Sequence, residues 1–180
     1  MSLFDQLVDE ALRNQQGLST LRIVVEKELL HHDILREMSR AGLLATLTLM
    51  GGTCLRACYG SSRLSEDLDF TGGAGFSRER LADLAAVLVD RLQRKYGLRV
   101  EVGEPTRETG NVATWRVKLQ TRPTQPNQPA QRIHIECRSG GRPNSPAQRP
   151  SANACDWRVC AVTWWPAARS PRPDPLWWRT

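Results

Sequence analysis

Apolar residues near the start of the chain recur at helical spacing. Leu3, Leu7, Ala11 and Leu12 define a short first helix ending near Gly17. Ser19 or Thr20 can cap a second helix, in which Leu21, Val25, Leu29, His32, Leu35 and Met38 follow the 3.6-residue period, and Gly42 marks its end. His31 and His32 fall within that helix and read as ordinary helix-face residues. Residues 43–50 are apolar and threonine-bearing, which suits a buried strand. Gly51 and Gly52 break it, and residues 53–59 suit a short helix. Residues 67–70 read as a second strand, followed by a glycine-rich loop at 72–75. Ser77 can then cap a helix carrying Leu81, Leu84, Leu88, Leu92 and Tyr96 on one side.

Three alternating segments follow. Leu98, Val100 and Val102 share one face of the first; Trp115, Val117 and Leu119 share one face of the second, opposite Thr114, Arg116, Lys118 and Gln120. A Pro-, Gln- and Asn-rich stretch over 122–131 suits a loop. In the third segment Ile133 and Ile135 face one way, His134 and Glu136 the other. The order α-α-β-α-β-α-β-β-β predicts an α+β fold, a small mixed β-sheet with packed helices. From residue 139 to the end, only Val159, Val162 and Leu176 represent Leu, Ile, Val and Phe. Seven of the eleven prolines and five of the six tryptophans lie there, so a disordered tail is expected. The chain thus divides into an N-terminal helical segment (1–42), a core (43–138) and an irregular tail (139–180).

The 180 residues carry a net charge of +6. The tail holds six Arg and two Asp, leaving the rest near balance, so the basic excess is weak support for a nucleic-acid partner. Cys54, Cys58, Cys137, Cys155 and Cys160 form no C-x-x-C pair, which argues against a disulfide framework and a structural zinc site. Cys54 and Cys58 read as small packing residues. No signal peptide and no membrane-spanning run is recognisable, which predicts a soluble, cytoplasmic protein with no membrane partner.

Asp67 and Asp69 stand two apart on a strand, so their carboxylates share a face while Leu68 and Phe70 turn to the core. Adjacent carboxylates call for a cation, and Mg²⁺ takes such hard oxygen ligands together with phosphate oxygens. A D-x-D pair alone also fits a solvated strand. The Gly51-Gly52-Thr53 turn before a helix adds to it, because glycines admit a ligand close to the backbone and helix N-termini offer N–H groups to phosphate.

The run LMGGTCLRACYGSSRLSEDLDF at 49–70 resembles the signature of the AbiEii/AbiGii toxin family of nucleotidyltransferases, and EKELLHHDIL at 26–35 is similar to the same family. The likeness covers roughly residues 20–138, with Lys118 and Glu136 matching a later lysine and acidic position. The resemblance implies a polymerase-β-like nucleotidyltransferase fold and transfer of a nucleoside monophosphate from an NTP to an acceptor hydroxyl. In that scheme Asp67 and Asp69 hold two Mg²⁺ ions and Glu136 helps to bind one of them. Gly51, Gly52 and Thr53 cradle the triphosphate, Arg63, Ser65 and Lys118 also bind it, and Lys118 is counted with the catalytic residues. Glutamate stands at position 136 where many relatives have aspartate. The resemblance further implies a winged-helix antitoxin encoded nearby and a tRNA or other RNA acceptor.

Relatives usually continue into a helical domain where this chain has its tail. The composition there, without Lys, Glu, Ile, Phe or Tyr, is that of a frameshifted or truncated relative, or of a basic-aromatic appendage that binds nucleic acid. Two other functions fit the core: nucleotidyl transfer to a small aminoglycoside-type acceptor, and a non-catalytic remnant that binds nucleotide or a partner.

Overall fold

The computed structural model describes residues 2–14, 21–72, 76–107, 112–121 and 130–139. The helix end expected near Gly17, the caps expected at Ser19 or Thr20, most of the two predicted loops and nearly all of the tail lie outside them. Among the described residues, four helices and five strands run in the expected order. They are α1 (Leu3–Asn14), α2 (Arg22–Arg40), β1 (Leu47–Met50), α3 (Gly51–Tyr59), β2 (Leu68–Gly72), α4 (Leu84–Tyr96), β3 (Arg99–Arg107), β4 (Val112–Gln120) and β5 (Gln131–Ser139).

The sheet order is β1-β2-β5-β4-β3, with β2 and β5 parallel and every other pair antiparallel. The sheet is therefore mixed, as expected. Strand alternation sets its two faces. Leu68, Phe70, Trp115, Val117, Leu119, Ile133 and Ile135 are all buried on one side. They meet Leu30, Ile34 and Met38 of α2 and Leu88 and Leu92 of α4 in a single core, which also takes in Phe4 and Val8 of α1.

Four local readings change. In α1 the buried residues are Phe4 and Val8, whereas Leu3 is largely exposed. The Phe4 ring packs edge-on against Tyr96 with centroids 5.1 Å apart, so the aromatic side chain sets the helix's rotation. The strand expected over 43–50 begins only at Leu47, because residues 41–46 form turns after Gly42 enters the left-handed region at φ +72°. Bonds from the Leu43 N–H to Met38, Ala45 to Gly42 and Leu47 to Leu44 satisfy that backbone without a ladder. The helix expected from Ser77 is split, with a 3₁₀ turn at Arg78–Leu81 preceding α4, and Ser77 makes no side-chain cap bond to it. Cys54 and Cys137 are free and buried, but Cys58 is disulfide-bonded, against the expectation of a packing thiol.

Helix α2 buries charge as well as hydrocarbon, and each buried carboxylate is paired. Asp33 meets Lys95 at 2.7 Å, Arg36 at 2.9 Å and the Tyr96 hydroxyl. Glu26 accepts from the Gln131 amide at 2.9 Å and lies 3.3 Å from Arg22. These pairs tie α2 to α4 and to the start of β5. Removing one partner of a buried pair strands the other charge, at a cost of about 3–5 kcal/mol.

Candidate functional site

Strand β1 ends at Met50, in register with Asp69 of β2. The chain then turns at Gly51, where φ is +73°, and enters α3. Only glycine fits this turn. A Cβ added to Gly51 would stand 2.3 Å from Asp69 Oδ2, and one added to Gly52 would stand 2.9 Å from Ser65 Oγ. Thr53 is buried, and its hydroxyl donates to the Asp67 carbonyl at 2.7 Å. Gly51, Gly52 and Thr53 thus meet Asp69, Ser65 and Asp67 respectively. The two motifs form one packed unit, with the N-terminal turn of α3 against the acidic strand.

Asp67 lies at the bend just before β2, and Asp69 lies within the strand. Leu68 and Phe70 are buried, as the alternation requires. Parallel pairing sets Glu136 of β5 directly beside Asp69. Burial, and then the charge of Asp67, raise the Asp69 carboxyl above its ordinary range, while Arg138 opposes them. Arg138 Nη2 lies 3.5 Å from Glu136 Oε2, so this arginine sits beside the acidic group. Asp67 Oδ1 accepts from the His134 backbone N–H at 3.1 Å and lies 3.2 Å from His134 Nδ1.

The loop before Asp67 is held from α2. His31 Nε2 donates to the Glu66 carbonyl at 3.0 Å, since a carbonyl can only accept, and Lys27 Nζ bonds the Glu66 carboxylate at 2.5 Å. Burial pulls the His31 pKa down to about 4, so the ring is neutral there. His31 is therefore a buried tether for the acidic loop, more than an ordinary helix-face residue.

The remaining predicted residues make no hydrogen bond or ion pair with the acidic group among the described residues. Arg63 is exposed and makes no ion pair among the described residues; its backbone N–H donates to Ser61 Oγ at 3.2 Å. Lys118 lies on the polar face of β4, where its Nζ donates to Glu101 at 3.2 Å. It pairs with Arg132, whereas Thr114 is the β4 residue opposite Glu136. Four residues of strand separate Lys118 from Thr114, roughly 13 Å along the chain. His134, Arg138 and His31 were not picked out from the sequence. The first two alternate with Glu136 on its own strand face, a signal that was present; the role of His31 leaves none.

The face opposite the core is cationic. Arg99, Arg116, Lys118, Arg132 and Arg138 are all exposed along strands β3 to β5, running up to Glu136, with Glu101 paired to Arg99 and Lys118 among them. Thr114 is buried on that face, and its hydroxyl has no hydrogen-bond partner among the described residues.

A divalent cation fits the acidic group in its chemistry. The donors are hard carboxylate oxygens, and burial together with the charge of Asp67 opposes the ionisation of Asp69, which a cation relieves. Among the described residues no three His, Cys, Asp or Glu side chains form a ready-made metal cage. The fit is to an ion held by two carboxylates, with phosphate oxygens completing its shell, as suits Mg²⁺.

The chain is similar to two solved structures. One is a candidate nucleotidyltransferase from H. pylori, at 23% identity and a TM-score of 0.41, covering 68% of this chain and 48% of that one. The other is JHP933 from Helicobacter pylori, at 22% identity and a TM-score of 0.42, covering 68% and 47%. The chain spans about half the length of each. No curated protein matches it. No helix among the described residues is long and apolar enough to cross a membrane. The family model for the nucleotidyl transferase AbiEii toxin of type IV toxin–antitoxin systems matches residues 33–169, running past residue 138, where the likeness was expected to stop. With most of its length inside that match, the chain belongs to the AbiEii nucleotidyl transferase toxin family.

Proposed function

We propose that this chain transfers a nucleoside monophosphate from an NTP to an acceptor hydroxyl in a divalent-cation-dependent reaction, as the toxin of a toxin–antitoxin pair. The observation that carries this reading is the packing of the Gly51-Gly52-Thr53 turn on Asp67 and Asp69, with Glu136 alongside. What supports the reading is that the start of α3, where a phosphate would sit, is in contact with the carboxylate pair that would hold the cation.

Asp67 and Asp69 would hold the cation, with Glu136 beside them. When bound, the ion supplies charge neutralisation for the triphosphate and the displaced pyrophosphate. Gly51 and Gly52 let phosphate oxygens approach the backbone N–H groups at the start of α3. Arg138 adjoins this carboxylate group and would neutralise phosphate there, with Arg63 and, farther along the sheet, Lys118 adding charge. The acceptor hydroxyl would give up its proton to solvent as its oxygen attacks the α-phosphorus, and the bond from that phosphorus to the α,β-bridging oxygen would break, releasing pyrophosphate.

The cationic strip of β3 to β5 favours a polyanionic acceptor, an RNA such as tRNA, over a small aminoglycoside. Both NTP and RNA place the reaction in the cytoplasm, and the antitoxin would be a winged-helix protein encoded nearby. The test is incubation with each labelled NTP, Mg²⁺, total RNA and small acceptors. Label entering RNA supports the reading, and label entering an aminoglycoside redirects the acceptor. Tight Mg²⁺-NTP binding with no transfer identifies a binding remnant, and neither binding nor transfer sinks the proposal.

A further inference from the structure

We propose that His134 is a positioning residue that orients the Asp67 carboxylate for cation binding; this rests on the metal-dependent reading above. Asp67 precedes the first paired residue of β2, so no ladder fixes its side chain. Its main chain is held by Thr53, whose hydroxyl donates to its carbonyl, and by His31, which holds the neighbouring Glu66 carbonyl. Its carboxylate is held among the described residues by His134 alone. The His134 backbone N–H and ring Nδ1 both reach one oxygen, Oδ1, at 3.1 and 3.2 Å.

A carboxylate only accepts, so Nδ1 carries the proton in this contact. A single donor leaves a carboxylate free to swing about its Cβ–Cγ bond. Two donors converging on Oδ1 from a main chain and a ring fix that rotation, and they leave Oδ2 with no hydrogen-bond partner among the described residues. Partners of this kind orient ligating groups at metal sites, and their loss typically weakens metal affinity by about 10–100-fold. The placement of His134 is a matter of register. It alternates with Glu136 on the polar face of β5, which parallel pairing brings against β2.

Two variants of the full chain test this. His134→Leu keeps the backbone N–H and the bulk but removes the ring donor, and His134→Asn restores a side-chain donor. Mn²⁺ alone is the probe, titrated without nucleotide and followed by the electron paramagnetic resonance of the free ion, beside melting temperatures. The expected result is Mn²⁺ binding weakened about tenfold in His134→Leu and nearly restored in His134→Asn, with little change in melting temperature in either. Parental binding with unchanged affinity in His134→Leu overturns the role of His134 and leaves the metal reading standing. Equal loss in both variants overturns it too, since it would make the imidazole itself a ligand or a structural element. A parent chain that does not bind Mn²⁺ overturns the metal reading, and this inference with it.

Discussion

Gly51 and Asp69 are in contact through the one hydrogen that a larger side chain would replace: a Cβ at Gly51 would lie 2.3 Å from Oδ2 and 3.1 Å from Cγ of the aspartate. The same glycine has φ +73°, in the left-handed region. Gly51→Ala should therefore act twice, adding about 1–2 kcal/mol of backbone strain and pushing the Asp69 carboxylate from its place. We expect a lower melting temperature together with weaker Mn²⁺ binding. A variant with parental stability and affinity would show that the turn does not constrain the acidic strand.

Replacing the acidic pair should separate function from stability. Burial and the Asp67 charge disfavour ionised Asp69, so Asp69→Asn removes a strained charge and should leave the fold as stable as before or more so. Transfer activity and Mn²⁺ binding should fall at least about a hundredfold in Asp67→Asn and Asp69→Asn alike. Thermal melts beside a single-turnover assay would check this. Retained activity in both would remove the carboxylates from the mechanism.

Arg138 should matter more to NTP binding than Lys118. Arg138 adjoins Glu136 and acts on Asp69, whereas Lys118 is occupied with Glu101 farther along the sheet. Arg138→Ala should cost a charge-assisted phosphate contact of roughly 1.5–3 kcal/mol. Lys118→Ala should cost less NTP affinity and more affinity for a polyanionic acceptor. Titration calorimetry with a non-hydrolysable NTP would rank the two, and the reverse order would return Lys118 to the triphosphate.

Acid should loosen the fold through two histidines. Burial holds both His31 and His32 down to about 4, from an ordinary value of 6.5. Between those values the unfolded chain takes up protons that the folded chain refuses. Stability is therefore full above 6.5, falls as pH drops through the window and levels off below the folded value. The effect is on the order of 3 kcal/mol per histidine at its limit. Carboxylates held below their usual range, such as Asp5 and Glu66, lose their contribution only in stronger acid. Urea midpoints measured from neutral pH to about 5 should therefore decline in the parent and stay nearly flat in a His31→Gln/His32→Gln double variant. A flat parental profile would contradict the buried, neutral state of the rings.

Period and punctuation made much of this architecture legible. The two-residue alternation around Trp115, Val117 and Leu119, and around Ile133 and Ile135, assigned the sheet faces before any contact was known. The glycine turn and the D-x-D pair could be read because each is a local device with a local cause. What could not be read depends on partners distant in the chain. His31 meets Glu66 across 35 positions and His134 meets Asp67 across 67. Lys118 was correctly placed on a polar face, but its distance from the carboxylates follows from how β4 and β5 pair, which alternation alone does not set. The apolar stretch after Gly42 satisfied strand composition while the backbone closed its bonds in turns.

The last strand of the described sheet in sequence is its third in space. Until residues 131–139 are made, β2 has a neighbour on one side only, and β3 and β4 are a hairpin with nothing to join them to it. Glu136, His134 and Arg138 arrive on that same strand. A chain that stops short of residue 131 therefore has both aspartates and none of these three β5 companions. One strand thus both joins the two parts of the described sheet and brings Glu136, His134 and Arg138 to the two aspartates.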